Sequence, residues 1–291
     1  MRVFSLPCPL PSAPAVVALG CFDGTHLGHA ALFAHTLAEA ERLSALPAVF
    51  TFSDFLPGKG APLSTLDDRL SAMEAMGIEA VFLAPFSAVR ELSAADFIHS
   101  VLKEKLRAVN TVCGFNYRFG AGAAGDGDTL LAHFPEAIRV PAITYEGTPI
   151  SSTRIRAALA EGRVEAAAAM LGRPYTVTGT VSHGKAMGHL FGYPTANLSV
   201  PTLLPAYGVY ETRVTVDGKV YTGLSDVGVR PTLEKAGEER VESFLFDFEG
   251  DLYEKTVSVS FLRRLRDEIH FETPEALSAQ ITRDVASIKN K

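Results

Sequence analysis

The sequence predicts two domains of different class: a doubly wound parallel α/β domain over residues 1–172, and a small β-barrel closed by a C-terminal helix over residues 173–291. Three observations carry this expectation. At 291 residues the chain exceeds what one hydrophobic core ordinarily holds. Its first half alternates short apolar runs with helix-periodic segments, as successive βαβ units do. Its second half is cut by glycines and turn dipeptides into short alternating segments, the pattern of an antiparallel sheet.

Each element follows in order. Ala15 to Gly20 is a short apolar run ending in glycine and reads as a buried strand. Gly28 to Leu43 is helical, with Leu32, Phe33, Leu37 and Ala40 on one side. Ala48 to Phe52 is the second strand. Thr65 and Asp68 then form a cap ahead of Leu70, Met73 and Met76. Glu79 to Leu83 is the third strand, and Ser93 with Asp96 opens the next helix. Val109 to Gly114 and Ala137 to Thr144 complete the parallel set. Val164 to Leu171 is a short helix at the junction, and the boundary is expected near Gly172-Arg173-Pro174. In the second half, Tyr207–Val216 and Lys219–Gly223 flank Asp217-Gly218, a strong hairpin signal. Phe244–Phe248 precedes the turn Glu249-Gly250, and Val257–Leu262 alternates again. Thr273 caps a last helix with Pro274 in its first turn and Leu277, Ile281, Val285 and Ile288 as its stripe.

Composition narrows the function classes. Hydrophobic residues make up 47% and charged residues 21%, which excludes a disordered chain. The net charge of −6 argues against a nucleic-acid binder, although a local phosphate pocket stays open. Cys8, Cys21 and Cys113 are odd in number and lack C-x-x-C spacing, so neither a disulfide framework nor a zinc site is indicated. No apolar run is long enough to span a bilayer, and the proline-rich start is a poor signal-peptide core; a cytoplasmic protein is expected.

The segment Gly20-Cys21-Phe22-Asp23-Gly24-Thr25-His26-Leu27-Gly28-His29 joins the first strand to the first helix. Ligands of doubly wound sheets bind beyond the carboxyl ends of the strands. Gly20 and Gly24 let the backbone approach a phosphate, the helix start offers unpaired N–H groups, and His26 and His29, three apart, can face one anion. One such histidine alone reads as an ordinary residue near a helix start; the ten-residue pattern after a strand does not. Ser152, Thr153 and Arg154 begin another helix with hydroxyls and a guanidinium suited to phosphates, and alone read equally as a capped helix. Gly114 to Gly120, containing Asn116 and Phe119, follows a strand end with aromatic rings and an amide that suit a planar ring system, and alone reads equally as a surface turn.

The second half carries Gly184, Gly188 and Gly192 at four-residue spacing, a flexible arch able to close over phosphates, with Lys185 inside it. This is not a Walker A loop, because no G-K-[ST] follows at the right spacing. Thr195 and Asn197, in Pro194-Thr195-Ala196-Asn197, share one face of an extended segment, so both oxygens can reach one magnesium ion. Glu242, in Val241-Glu242-Ser243, alone reads as an outward strand residue among Glu238, Glu239, Asp247 and Glu249.

The first segment resembles the H-x-G-H signature of nucleotidyltransferases. The arch, the P-T-A-N segment, Leu204–Tyr210, Gly228-Val229-Arg230-Pro231-Thr232, Val241–Phe248, Gly250–Tyr253 and Phe261–Arg266 resemble riboflavin kinase. Together, and in this order, they resemble the bifunctional bacterial riboflavin kinase/FAD synthetase family from about residue 15 to the C-terminal helix. The resemblance implies a Rossmann-like nucleotidyltransferase domain followed by a six-stranded β-barrel kinase domain. It implies phosphorylation of riboflavin to FMN and adenylylation of FMN to FAD, with ATP, riboflavin and FMN as substrates and Mg2+ as cofactor. His26 and His29 then act in adenylyl transfer, with Gly20, Phe22, Asp23, Ser152, Thr153 and Arg154 on ATP and Asn116 and Phe119 on the flavin. Glu242 becomes the general base of the kinase, Gly184, Lys185, Gly188 and Thr195 its ATP contacts, and Thr195 and Asn197 its metal ligands. The partners implied are small molecules, neither nucleic acid nor membrane, with weak self-association left open.

The sequence departs from that family in four places. Ser53 to Gly58 stands where a proline-histidine-proline turn is usual, Asn116 where aspartate is common, and His189 where arginine is frequent. Asp226-Val227-Gly228 replaces Asn-Ile-Gly. The Ser53–Gly58 departure motivates one alternative, a kinase with weakened or altered adenylylation; a non-catalytic flavin sensor is the other, and intact His26, His29, Thr195, Asn197 and Glu242 argue against it.

Overall fold

The computed structural model describes residues 1–6, 11, 13–56, 58–182, 195–232, 235–269 and 271–289. The chain divides into two compact units, Met1–Ser152 and Thr153–Lys291.

The first unit is a six-stranded, all-parallel sheet ordered β1-β4-β3-β2-β5-β6. Its strands are β1 (Arg2–Ser5), β2 (Ala15–Leu19), β3 (Leu46–Phe52), β4 (Ala80–Ala84), β5 (Ala108–Gly114) and β6 (Ile138–Val140). β2 and β4 are buried along their whole length, because both sheet faces are covered. Alternate residues of β2 feed opposite cores. Val17 and Leu19 join Phe50, Phe82, Phe97 and Leu102 on one face. Val16 and Ala18 join Leu32, Phe33, Met73 and Val81 on the other. From β2 the chain steps outward to β3 and β4, then returns to β5 on the opposite side of β2. The order therefore reverses between β2 and β5, and the turn after β2 lies at that reversal.

The helices of this unit are α1 (Leu27–Leu43), α2 (Leu66–Ala75), a one-turn α3 (Ala94–Asp96) that continues as a π-helical run (Phe97–Lys105), and α4 (Gly127–His133). Thr65 and Asp68 cap α2 reciprocally, as their spacing predicts. Three features differ from expectation. β1 is an edge strand where the sequence showed only a proline-rich start. α4 follows the glycine-rich loop because the Asp126 side chain accepts from the N–H groups of Asp128 and Thr129. The strand expected over 137–144 stops at Val140, because Pro141 supplies no N–H to the ladder. Thr144–Tyr145 (β7) and Thr148–Pro149 (β8) then form a hairpin whose turn residues Glu146 and Gly147 both have positive φ.

The second unit is a closed antiparallel barrel ordered β10-β13-β12-β11-β14-β9. Its strands are β9 (Tyr175–Ser182), β10 (Thr195–Ser199), β11 (Gly208–Val216), β12 (Lys219–Thr232), β13 (Lys235–Leu245) and β14 (Thr256–Arg266). Asp217 and Gly218, at φ +50° and +77°, make the predicted hairpin turn. β12, β13 and β14 extend well beyond the apolar runs that announced them, since closure pairs polar residues too. Buried Thr212, Ser225 and Ser243 satisfy one another through two hydroxyl contacts of 2.7 Å. Helix α7 (Pro274–Lys289) lays Ile281, Val285 and Ile288 over Val209, Leu224, Phe244 and Phe246. A partly buried ion pair, Arg266 to Asp284 at 2.8 Å, pins it. Helices α5 (Ser152–Ala160) and α6 (Val164–Leu171) group by contacts with this barrel, whereas a division at 172/173 assigns them to the first domain.

Candidate active sites

In the first unit the turn after β2 is built around a reciprocal cap. His26 is the N-cap of α1. Its Nδ1 accepts from the His29 N–H at 3.3 Å, and His29 Nδ1 accepts from the His26 N–H at 3.3 Å. The imidazoles stack with centroids 3.6 Å apart and planes 14° apart. An Nδ1 that accepts carries no proton, so each neutral ring bears its proton on Nε2, a donor suited to an anion's oxygen.

The backbone before the cap is contorted: Phe22, Gly24 and Thr25 have φ of +54°, +79° and +40°. Gly24 supplies one of these angles freely; Gly20 is needed for another reason, since a Cβ there would meet the Phe22 ring at 2.9 Å. Phe22 is buried between Phe33 and His29, so it shapes the turn from beneath. The buried Asp23 carboxylate accepts from Leu63 N–H (3.0 Å) and Ser64 N–H (3.3 Å), and Ser64 Oγ accepts from Gly24 N–H at 3.0 Å. Ser152, the first residue of α5 and the last of the first unit, donates from Oγ to Asp23 O at 2.9 Å. Thr153 and Arg154 continue that helix within the second unit.

After β5, Asn116 and Phe115 are exposed, while Phe119 is buried against Phe97 and Tyr117 at centroid distances of 5.5 and 5.6 Å. Burial pushes the Tyr117 phenol far above its usual range. In the atypical loop after β3, Asp54 Oδ1 accepts from Phe86 N–H at 2.7 Å; Pro57 lies outside the described residues. Sequence reading missed Thr51, Ser64 and Arg69, all of which brace the Cys21–Gly24 turn. A signal existed for Arg69: three after Leu66 and four before Met73, it falls on the buried stripe of α2.

In the second unit, strand register assembles the other cluster. Asn197 faces Glu242 across β10–β13, and Glu242 faces Asp226 across β13–β12. Directly paired residues project to the same face, so the three form one row, with Thr195 on that face two residues along. Asn197 is 5% exposed, and its Oδ1 has no hydrogen-bond partner among the described residues. Glu242 Oε2 lies 3.4 Å from Arg240 Nη2. Burial, then the charges of Glu268 and Glu242, push the Asp226 carboxyl up to about 6. The sequence did not reveal that Asp226 sits beside Glu242. Gly184, Lys185, Gly188, His189 and Gly192 lie outside the described residues.

A magnesium ion wants oxygen ligands, often with substrate phosphates completing its shell. A buried amide oxygen without a donor, beside a hydroxyl and a carboxylate, fits that demand. Among the described residues no group of three or more His, Cys, Asp or Glu is placed to hold a metal.

Comparison with known proteins agrees with this two-part build. Residues 9–154 match the FAD synthetase family model, and residues 171–291 match the riboflavin kinase model. The chain is 34% identical over 285 residues to a bifunctional riboflavin kinase/FMN adenylyltransferase of Pseudomonas fluorescens, covering 94% of this chain and 92% of that one. It is 33% identical to a protein of the same description from Bacillus subtilis, covering 94% and 90%. It is also similar throughout to a solved structure from Streptococcus pneumoniae described as a macrolide-efflux protein, with a TM-score of 0.91, 32% identity and full coverage of both chains. Among the described residues of this chain, no helix is long and apolar enough to cross a membrane.

Proposed function

The chain belongs to the bifunctional riboflavin kinase/FMN adenylyltransferase family, and from that premise we propose how its residues divide the two reactions. It phosphorylates riboflavin to FMN and adenylylates FMN to FAD, each time at the expense of ATP.

Adenylyl transfer is assigned to the turn between β2 and α1. The attacking group is the FMN phosphate, already ionised, so no general base is required; it displaces pyrophosphate at the α-phosphorus of ATP. What remains is to align the reactants and to neutralise the oxygens as charge shifts. The Nε2–H groups of His26 and His29 do the latter. Gly20 and Gly24 keep the backbone close to the phosphates, and Phe22 and Asp23 hold the shape of the turn. Ser152, Thr153 and Arg154 take the departing pyrophosphate. Asn116 contacts the flavin, and Phe119 supports that loop from the core.

Riboflavin phosphorylation is assigned to the β10–β13–β12 face. Glu242 removes the proton of the ribityl 5′-hydroxyl, and the oxygen attacks the γ-phosphorus of ATP, releasing ADP. Thr195 and Asn197 hold Mg2+, which when bound neutralises phosphate charge. The contacts of the kinase with the phosphates are assigned, by family resemblance, to Gly184, Lys185 and Gly188, which lie outside the described residues. The observation that carries this assignment is a buried Asn197 Oδ1 that meets no donor among the described residues, on a residue directly opposite Glu242 across β10–β13. The proposal includes a cytoplasmic location and only small-molecule substrates, in keeping with the net charge of −6.

The test is incubation of the purified chain with riboflavin, ATP and magnesium, following FMN and FAD by chromatography. Both should form in sequence. FMN accumulating without FAD would favour a kinase with weakened adenylylation, the alternative raised by the Ser53–Gly58 departure. Flavin binding without ATP consumption would sink both enzymatic readings.

A further inference from the structure

The turn that carries His26 holds two non-glycine residues, Phe22 and Thr25, at positive φ. Such backbone persists only where its surroundings over-determine it. The carbonyl just before it, Cys21 O, accepts from Thr51 Oγ1 at 3.1 Å and from Arg69 Nη1 at 3.0 Å. Arg69 Nη2 donates to Phe52 O at 3.2 Å, so one guanidinium ties the turn to the end of β3.

Arg69 is 4% exposed, and its Nε has no hydrogen-bond partner among the described residues. Among the described residues it forms no ion pair; the charge acting on it is that of Asp23. Burial pushes its pKa down. A buried cation held by neutral carbonyls is expensive, and an apolar side chain on this stripe of α2 would avoid the expense. Its presence here calls for a return that apolar packing cannot give. A planar fork reaching two carbonyls on different segments, with a positive charge behind an anion-receiving turn, is such a return.

We propose that Arg69 is a positioning residue for adenylyl transfer: it fixes the Cys21 carbonyl and so holds the Phe22–Thr25 turn in the shape that sets His26 and His29 side by side. It works from behind the turn and takes no part in bond making. The inference rests on the adenylyl-transfer assignment above.

The test uses Arg69→Ala and Arg69→Lys in the full chain, with riboflavin phosphorylation on the same polypeptide as internal control. FAD formation should fall about 100-fold in Arg69→Ala, chiefly in kcat, as a displaced catalytic constellation does. Millimolar methylguanidinium should restore it about tenfold, while the kinase stays within about twofold of the unaltered chain. Arg69→Lys keeps the charge but not the fork and should regain only a minor part. Unchanged FAD formation in folded Arg69→Ala, or a loss that methylguanidinium leaves untouched, overturns the proposal. Amide exchange over residues 20–29 gives a reading free of catalysis. It should accelerate about tenfold in Arg69→Lys while β2 and β5 keep their protection; equal protection in the turn overturns the proposal. Should Arg69→Ala fail to fold, Arg69→Lys carries both measurements. If the unaltered chain makes no FAD from FMN and ATP, the functional assignment fails, and exchange alone decides the role of Arg69.

Discussion

The cluster proposed for adenylyl transfer sets two imidazoles on a turn with a buried guanidinium behind it; the cluster proposed for the kinase sets two carboxylates and an amide in a row. The first cluster is locked into its own backbone, and each histidine closes a helix cap with the nitrogen it does not need for substrate. The second is a stretch of barrel wall with an acceptor left unmet. On the proposed assignment a triphosphate approaches the first directly and the second only in company with a cation. The contrast then teaches that two reactions on the same nucleotide need not share a strategy for handling its charge.

The sharpest break of that comparison is Glu242→Gln. Riboflavin phosphorylation should fall about 1,000-fold with the loss of the base, while conversion of supplied FMN to FAD is unchanged in a direct assay. His29→Ala should do the reverse, lowering FAD formation about 100-fold with FMN formation intact. Loss of both activities from either substitution would show that the two clusters are not separate sites. Asn197→Ala should act more gently, raising the magnesium concentration needed for half-maximal kinase activity about tenfold. If the magnesium titration does not move, the amide is not a ligand.

The smallest effect concerns Asp226. Its folded-state pKa of about 6 lies above the unfolded value, so the fold favours the protonated acid. The barrel is then least penalised below about pH 4, loses stability as pH rises toward 6, and carries the full penalty above that. Asp226→Asn should therefore stabilise the protein by up to about 3 kcal/mol at pH 8 and by almost nothing at pH 4. Chemical denaturation at the two pH values checks this. An equal effect at both would mean that Glu242 and burial do not strain this carboxyl.

Much of this was legible beforehand, and the limits have physical reasons. The alternation of apolar runs with helical spacing gave the parallel sheet, and Asp217-Gly218 gave a hairpin of the barrel. The His26–His29 spacing announced its turn because the whole motif is local. What depends on distant pairing was not legible. Arg69 meets Cys21 across 48 residues, and Asp226 meets Glu242 only once a hairpin register is set. Phe22 and Phe119 lie in motifs that read as ligand-facing, yet both rings are core, because a loop rich in aromatics must bury some of them to hold still. Val140 ends its strand because the local signal of Pro141 outweighs the apolar run that continues past it.

The histidine cap has one more consequence. The lone pairs that begin helix α1 belong to the imidazoles themselves. A side chain put in place of either imidazole therefore has two duties to fill, opening a helix and facing the strand ends, and a substitute that fills only one should leave the amides at His26 and His29 quicker to exchange.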